Sequence, residues 1–272
     1  MSNSFTPPYK NITEASRIYL LPNLFTAGNL FFGYLAIINC IEARYSMENE
    51  VAHHLYIYAV WFIIFACICD VLDGLVARLG GRESLFGKEF DSIADVVSFG
   101  VAPALMVFFL ILPPTEGLPV FRQAGWLIGF IYLLCAGVRL ARFNVLTTPL
   151  LPKEKDGESK AFQGFPTTAA AGTIASLALV IMRFDDLRWF SILLPALMLL
   201  IAWLMVSSIP YPSIKSINWH AEARMRPFVL VVALVSVGFL FRECAFAVFF
   251  LCYIFYGLWM HLKGYLSLKR GR

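Results

Sequence analysis

Four aspartates crowd one short stretch of an otherwise greasy chain. They stand in Asp70-Val-Leu-Asp73-Gly74-Leu-Val-Ala77-Arg78 and, after eight further residues, in Gly87-Lys-Glu-Phe-Asp91-Ser-Ile-Ala-Asp95. Asp70 and Asp73 are three apart, and Asp91 and Asp95 are four apart, so each pair shares a face if its segment is helical. Gly87 continues the second stripe one turn earlier. A reversal at Gly80-Gly81 would set the two helix ends side by side and bring the four carboxylates together. Such a group cannot stay fully ionised without counter-charge, and two divalent cations would balance it. All-oxygen ligation suits hard ions such as Mg²⁺ or Mn²⁺. Two such ions form a recurring clamp for phosphoryl chemistry. Gly74 leaves space for a ligand against helix backbone, and Arg78 offers a planar cation to phosphate oxygens. Acids at membrane depth also build proton pathways, ion pathways and structural charge networks, and these alternatives stay open on the carboxylates alone.

The elements that must carry these residues follow from composition. Of 272 residues, 59% are hydrophobic and 15% charged, with a mean hydropathy of +0.71. A soluble domain is roughly 45–50% apolar and about 25% charged, so a disordered, collagen-like or ordinary soluble chain is excluded. A crossing helix needs about 20 mostly apolar residues. Eight stretches qualify: 22–43, 53–79, 89–112, 124–147, 165–183, 189–208, 226–242 and 244–262. They predict an all-α, polytopic membrane bundle of about eight transmembrane helices. Of the 22 lysines and arginines, 17 fall on the side of the two termini, which places both termini in the cytoplasm. Residues 1–20 read as a polar juxtamembrane segment without the layout of a cleavable signal. The connector 148–163 reads as a solvated loop. The six cysteines lie mostly in apolar runs, as small fillers and not as a disulfide framework. No nucleic-acid partner is expected.

The full spacing D-x2-D-G-x2-A-R-x8-G-x3-D-x3-D is intact. Eight specified positions at ~5–10% frequency each give on the order of one chance match in 10⁹ windows. The pattern resembles the signature of the CDP-alcohol phosphatidyltransferase family, integral membrane enzymes that move a phosphatidyl-type group from a CDP-linked lipid to an alcohol and release CMP. The resemblance implies that Asp70, Asp73, Asp91 and Asp95 hold two divalent ions, with Asp95 also the general base. It implies that Asn23, Thr26, Gly74, Arg78, Ser84 and Gly87 meet the CDP-lipid. It implies a catalytic core over 21–216, a C-terminal helix pair and basic tail over 217–272, and a homodimer. The small size and lack of a targeting segment fit a bacterial inner membrane with the site at its cytoplasmic face.

Segments outside the signature narrow the resemblance. Asp95-Val-Val-Ser98-Phe99-Gly100, Arg139-Leu-Ala-Arg142-Phe143-Asn144, Phe162-Gln-Gly164-Phe-Pro166 and Tyr211-Pro-Ser213-Ile-Lys215 are similar to the branch that uses L-serine. Serine is a zwitterion, so its pocket needs a cation for the carboxylate and an acceptor for the ammonium. Arg139 and Arg142, three apart on the fourth predicted helix, with Asn144 and Lys215, are the candidates for an acceptor cradle. The same cations also suit anchoring at helix ends. Glycerol 3-phosphate or inositol phosphate as acceptor, and an ion or proton transporter built on the same acids, are the competing readings.

Overall fold

The computed structural model of the chain describes residues 20–80, 84–111, 119–147, 164–184, 191–207, 209, 211, 246–257 and 259. Every regular element among them is helical. Helix α1 runs Leu20–Tyr45, α2 Asn49–Gly80, α3 Leu85–Asp95, α4 Ala102–Leu110, α5 Pro119–Thr147, α6 Thr167–Arg183 and α7 Leu193–Val206. A shorter apolar helix, α8, covers Phe246–Gly257. Four stretches are long and apolar enough to cross a membrane: Asn23–Tyr45, Asn49–Ala77, Leu85–Leu110 and Gly125–Leu146. The fifth and sixth predicted spans appear as α6 and α7, of 17 and 14 residues. The predicted helix at 226–242 and the loop 148–163 lie outside the described residues.

Small residues set how closely these helices approach. Ala36, Cys40 and Ala43 of α1 are buried, as are Ala59 and Ala66 of α2. With small side chains at these positions the two helices lie against each other along their length. The outward faces are apolar as well: Phe31, Tyr34, Phe65, Trp126, Phe130 and Trp203 are all exposed. Such a skin suits acyl chains and would be a liability in water. The architecture is therefore that of a membrane helix bundle.

Two local features position the chemistry. Ser84 caps α3, its hydroxyl accepting a hydrogen bond from the Gly87 amide at 3.1 Å. This cap starts the helix at Leu85, four residues before the apolar run first suggests it, because capping and not hydropathy decides the boundary. Beyond Asp95 the helix widens into a π-helical turn over Val96–Val101 before continuing as α4. Pro103 has no N–H to give to the Phe99 carbonyl four residues back. The Tyr132 hydroxyl of α5 donates to that buried carbonyl instead, at 3.0 Å. Widened turns of this kind are frequent at functional sites.

Before α6, Gly164 adopts φ +89°, a conformation that favours glycine. A Cβ there would strike the Met205 carbonyl oxygen. Gly164 and Phe165 donate backbone hydrogen bonds to the Ile209 and Leu204 carbonyls, at 2.9 and 3.0 Å. These tie the start of α6 to the end of α7, on the same bundle end as the aspartates.

Candidate active site

The last turns of α2 and the second half of α3 bring the acids together, while residues 81–83 of the expected reversal lie outside the described residues. One carboxylate oxygen each from Asp70, Asp91 and Asp95 lie within 4.8 Å of one another. Asp73 is outside that trio, but its carboxyl faces Asp91 closely enough to interact. Asp73 and Asp95 are buried, while Asp70 and Asp91 are half-buried. The donor set is all carboxylate oxygen, which fits a hard divalent cation. Asp95 ends α3, ~15 Å along the axis from Leu85, so the acids are recessed from the helix ends.

Hydroxyl and amide groups from other helices hold Asp70, Asp73 and Asp95. Thr26 of α1 donates to Asp73 Oδ2 at 3.1 Å. Asn29, one turn further along α1, donates through Nδ2 to Asp95 Oδ1 at 3.0 Å. Thr168, at the start of α6, donates to Asp70 Oδ2 at 2.8 Å. Hydrogen bonds to a charged group contribute about 1.5–3 kcal/mol each, and here they fix the rotamers of the would-be ligands. Thr26, Asn29 and Gly33 occupy one face of α1. Gly33 lets α1 approach the π-helical turn: a Cβ on it would come within 2.7 Å of Ser98 Cα. Ser98 in turn donates to the Asn29 backbone carbonyl at 2.9 Å.

The other predicted residues fall as follows. Asn23 lies over the start of α3, where a Cβ on Gly87 would stand 3.3 Å from its Oδ1 and 3.4 Å from Ser84 Oγ. Asn23 Nδ2 is buried with no hydrogen-bond partner among the described residues, a donor that a phosphate or nucleotide oxygen would satisfy. Gly74 is half-buried on the last turns of α2. Arg78 follows one turn later in α2, and its side chain lies outside the described residues. Arg139 of α5 is buried, lies near Asp95 and Asp70, and donates to Thr167 Oγ1 at 3.2 Å. Arg142, three residues on, is exposed. Asn144 braces α5 against α3: its Nδ2 donates to Ser92 Oγ at 2.8 Å, and its carbonyl accepts from Lys88 Nζ at 3.0 Å. Lys215 lies outside the described residues.

Sequence reasoning gave no individual role to Asn29, Thr167, Thr168 or Ser98. A signal existed for the first: polar residues three apart inside an apolar span, at Thr26 and Asn29, are costly unless something in the bundle uses them. Thr167 and Thr168 carry no such signal, because hydroxyl residues at a helix start read as caps.

Acids recessed at one end of a membrane bundle, close enough to hold a cation and hydrogen-bonded from two other helices, fit a phosphoryl-transfer type of site. The family model for CDP-alcohol phosphatidyltransferases matches residues 19–207, and the chain belongs to that family. It is 33% identical over 248 residues to a CDP-diacylglycerol–serine O-phosphatidyltransferase of Helicobacter pylori, covering 90% of this chain and 93% of that protein. It is 34% identical over 211 residues to an archaetidylserine synthase of Methanothermobacter thermautotrophicus, covering 76% of each. A Saccharomyces cerevisiae CDP-diacylglycerol–serine O-phosphatidyltransferase is 36% identical over 163 residues, covering 58% of this chain and 54% of that protein.

Proposed function

We propose that the chain transfers the phosphatidyl group of CDP-diacylglycerol to the hydroxyl of L-serine, giving phosphatidylserine and CMP. The observation that carries this is the meeting of the Asp70, Asp91 and Asp95 oxygens within 4.8 Å in a membrane protein of this family. The serine relatives, aligned over 90% of the chain, support the choice of acceptor.

Asp70, Asp73, Asp91 and Asp95 would hold two divalent ions, Mg²⁺ or Mn²⁺. When bound, such ions neutralise the pyrophosphate oxygens of the nucleotide-lipid. Asn23, Thr26, Gly74, Arg78, Ser84 and Gly87 would meet that headgroup, and Thr26 also holds Asp73. Asp95 takes the proton of the serine hydroxyl. The serine oxygen forms a bond to the lipid-side phosphorus, the phosphorus–oxygen bond to CMP breaks, and CMP leaves with the bonding pair. Direct displacement needs no covalent enzyme intermediate, and most of the acceleration comes from positioning and charge neutralisation. Of the acceptor-side candidates Arg139 suits the serine carboxylate best, being buried and beside Asp95. Arg142, Asn144 and Lys215 would complete the proposed acceptor side.

In this reading the core is 21–216, preceded by a juxtamembrane segment and followed by a C-terminal helix pair and basic tail. The protein works as a homodimer in a bacterial inner membrane, with both termini and the site at the cytoplasmic face. The polar headgroup sits among the acids while the acyl chains stay in lipid. The test is CMP release by purified protein from CDP-diacylglycerol with serine, glycerol 3-phosphate and inositol phosphate offered in parallel. Serine alone should support release. Release with glycerol 3-phosphate and none with serine would reassign the acceptor. Cation flux in sealed vesicles without CMP formation would replace the enzyme with an ion pathway.

A further inference from the structure

Asn29 has two functional atoms, and the structure accounts for one of them. Its Nδ2 donates to Asp95 Oδ1 at 3.0 Å. Its Oδ1 is buried and has no hydrogen-bond partner among the described residues, although Asn29 is 0% exposed. A buried amide oxygen without a donor is unfavourable and marks a place where a donor is expected. Its two hydrogen-bonded neighbours do not supply one. The Ser98 hydroxyl is already given to the Asn29 main-chain carbonyl at 2.9 Å, and an ionised Asp95 has only acceptors. The amide is also held tightly, since Gly33 brings α1 against the Ser98 backbone one turn along. A ligand that reaches Asp95 is placed to bring that donor.

The chemistry of that donor follows from the acceptor. In the serine reading the molecule that reaches Asp95 carries a charged N–H beside its hydroxyl, and a charge-assisted hydrogen bond to an amide oxygen is stronger than a neutral one. An amino group vicinal to the reacting hydroxyl would meet the Asn29 carbonyl oxygen when the hydroxyl meets Asp95. We infer that Asn29 reads the ammonium of the acceptor, holding Asp95 with its amide NH₂ and receiving the substrate N–H at Oδ1. The residue is thus a specificity determinant for 2-amino alcohols as well as a positioning residue for Asp95. This rests on the serine reading above.

The experiment compares L-serine with 3-hydroxypropanoate, which keeps the hydroxyl and the carboxylate and lacks the amine. CMP release is measured for both acceptors with the wild-type protein and with Asn29→Ala. Loss of Asp95 positioning lowers both rates and cancels in their ratio. The expected result is a preference for serine in kcat/KM that shrinks by about tenfold or more in Asn29→Ala, the size of one hydrogen bond to a charged group. A ratio equal to wild type, with both rates lowered alike, overturns the inference and leaves Oδ1 to a water molecule. If the alanine variant yields no folded protein, Asn29→Gln displaces both amide atoms by one methylene, and the same ratio decides. Wild-type protein that releases no CMP with serine fails the functional reading itself and takes this inference with it. A wild-type preference for serine that survives both substitutions defeats only the role of Asn29.

Discussion

Replacing Asp95 by asparagine keeps the side-chain shape and leaves an oxygen to accept from Asn29, but removes the proton acceptor. General bases contribute typically 10²–10⁴-fold, and CMP release with serine should fall by about that factor while CDP-diacylglycerol binding is kept. Full activity in Asp95→Asn would take the base role from this residue. A second change tests support of the acids from outside. Thr168→Val preserves volume and deletes the 2.8 Å hydrogen bond to Asp70. Removing such a partner of a ligand typically costs 10–100-fold in metal affinity. The divalent-ion concentration giving half-maximal rate should rise by about tenfold, and an unchanged value would separate Thr168 from ion binding. The acids were legible in the sequence because each pair is spaced on its own helix. The groups that hold them were not, since Thr26, Asn29 and Thr168 reach across 47, 66 and 98 positions to their partners.

Elements place those residues through a few close approaches. A Cβ on Gly33 would meet the Ser98 hydroxyl first and then Ser98 Cα at 2.7 Å, and the second of these is backbone that cannot swing aside. Gly33→Ala must push α1 away from the π-helical turn, at about 1–3 kcal/mol by analogy with overpacked cores. The variant should melt several degrees lower in detergent and also lose CMP release, because Asn29 sits one turn away on the same face. An unchanged melting midpoint would mean that α1 can shift without loss. The helices themselves were readable from hydropathy, and α2 and α5 extend through polar ends that the apolar count trims or barely includes. The widened turn at Val96–Val101 was not readable. Pro103 hints at a disturbed hydrogen-bond ladder, but the pairing of Tyr132 with the Phe99 carbonyl joins residues 33 apart on different helices.

On the scale of the whole molecule, the site belongs to no single segment. Residues from α1, α2, α3, α5 and α6 meet at one end of the bundle, and the four long helices end before α6 begins. A chain stopped after residue 150 should still enter membranes and resist carbonate extraction, yet release no CMP, since Thr167 and Thr168 are gone. Detectable turnover in that fragment would show that α6 is dispensable. The bond between Thr168 and Asp70 also sets a timetable for biosynthesis. At elongation rates of ~5–20 residues per second, the acid leaves the ribosome about 5–20 s before the hydroxyl that steadies it. For that interval the nascent protein carries its most polar group half-assembled among lipids, and anything that stalls translation there prolongs the exposure.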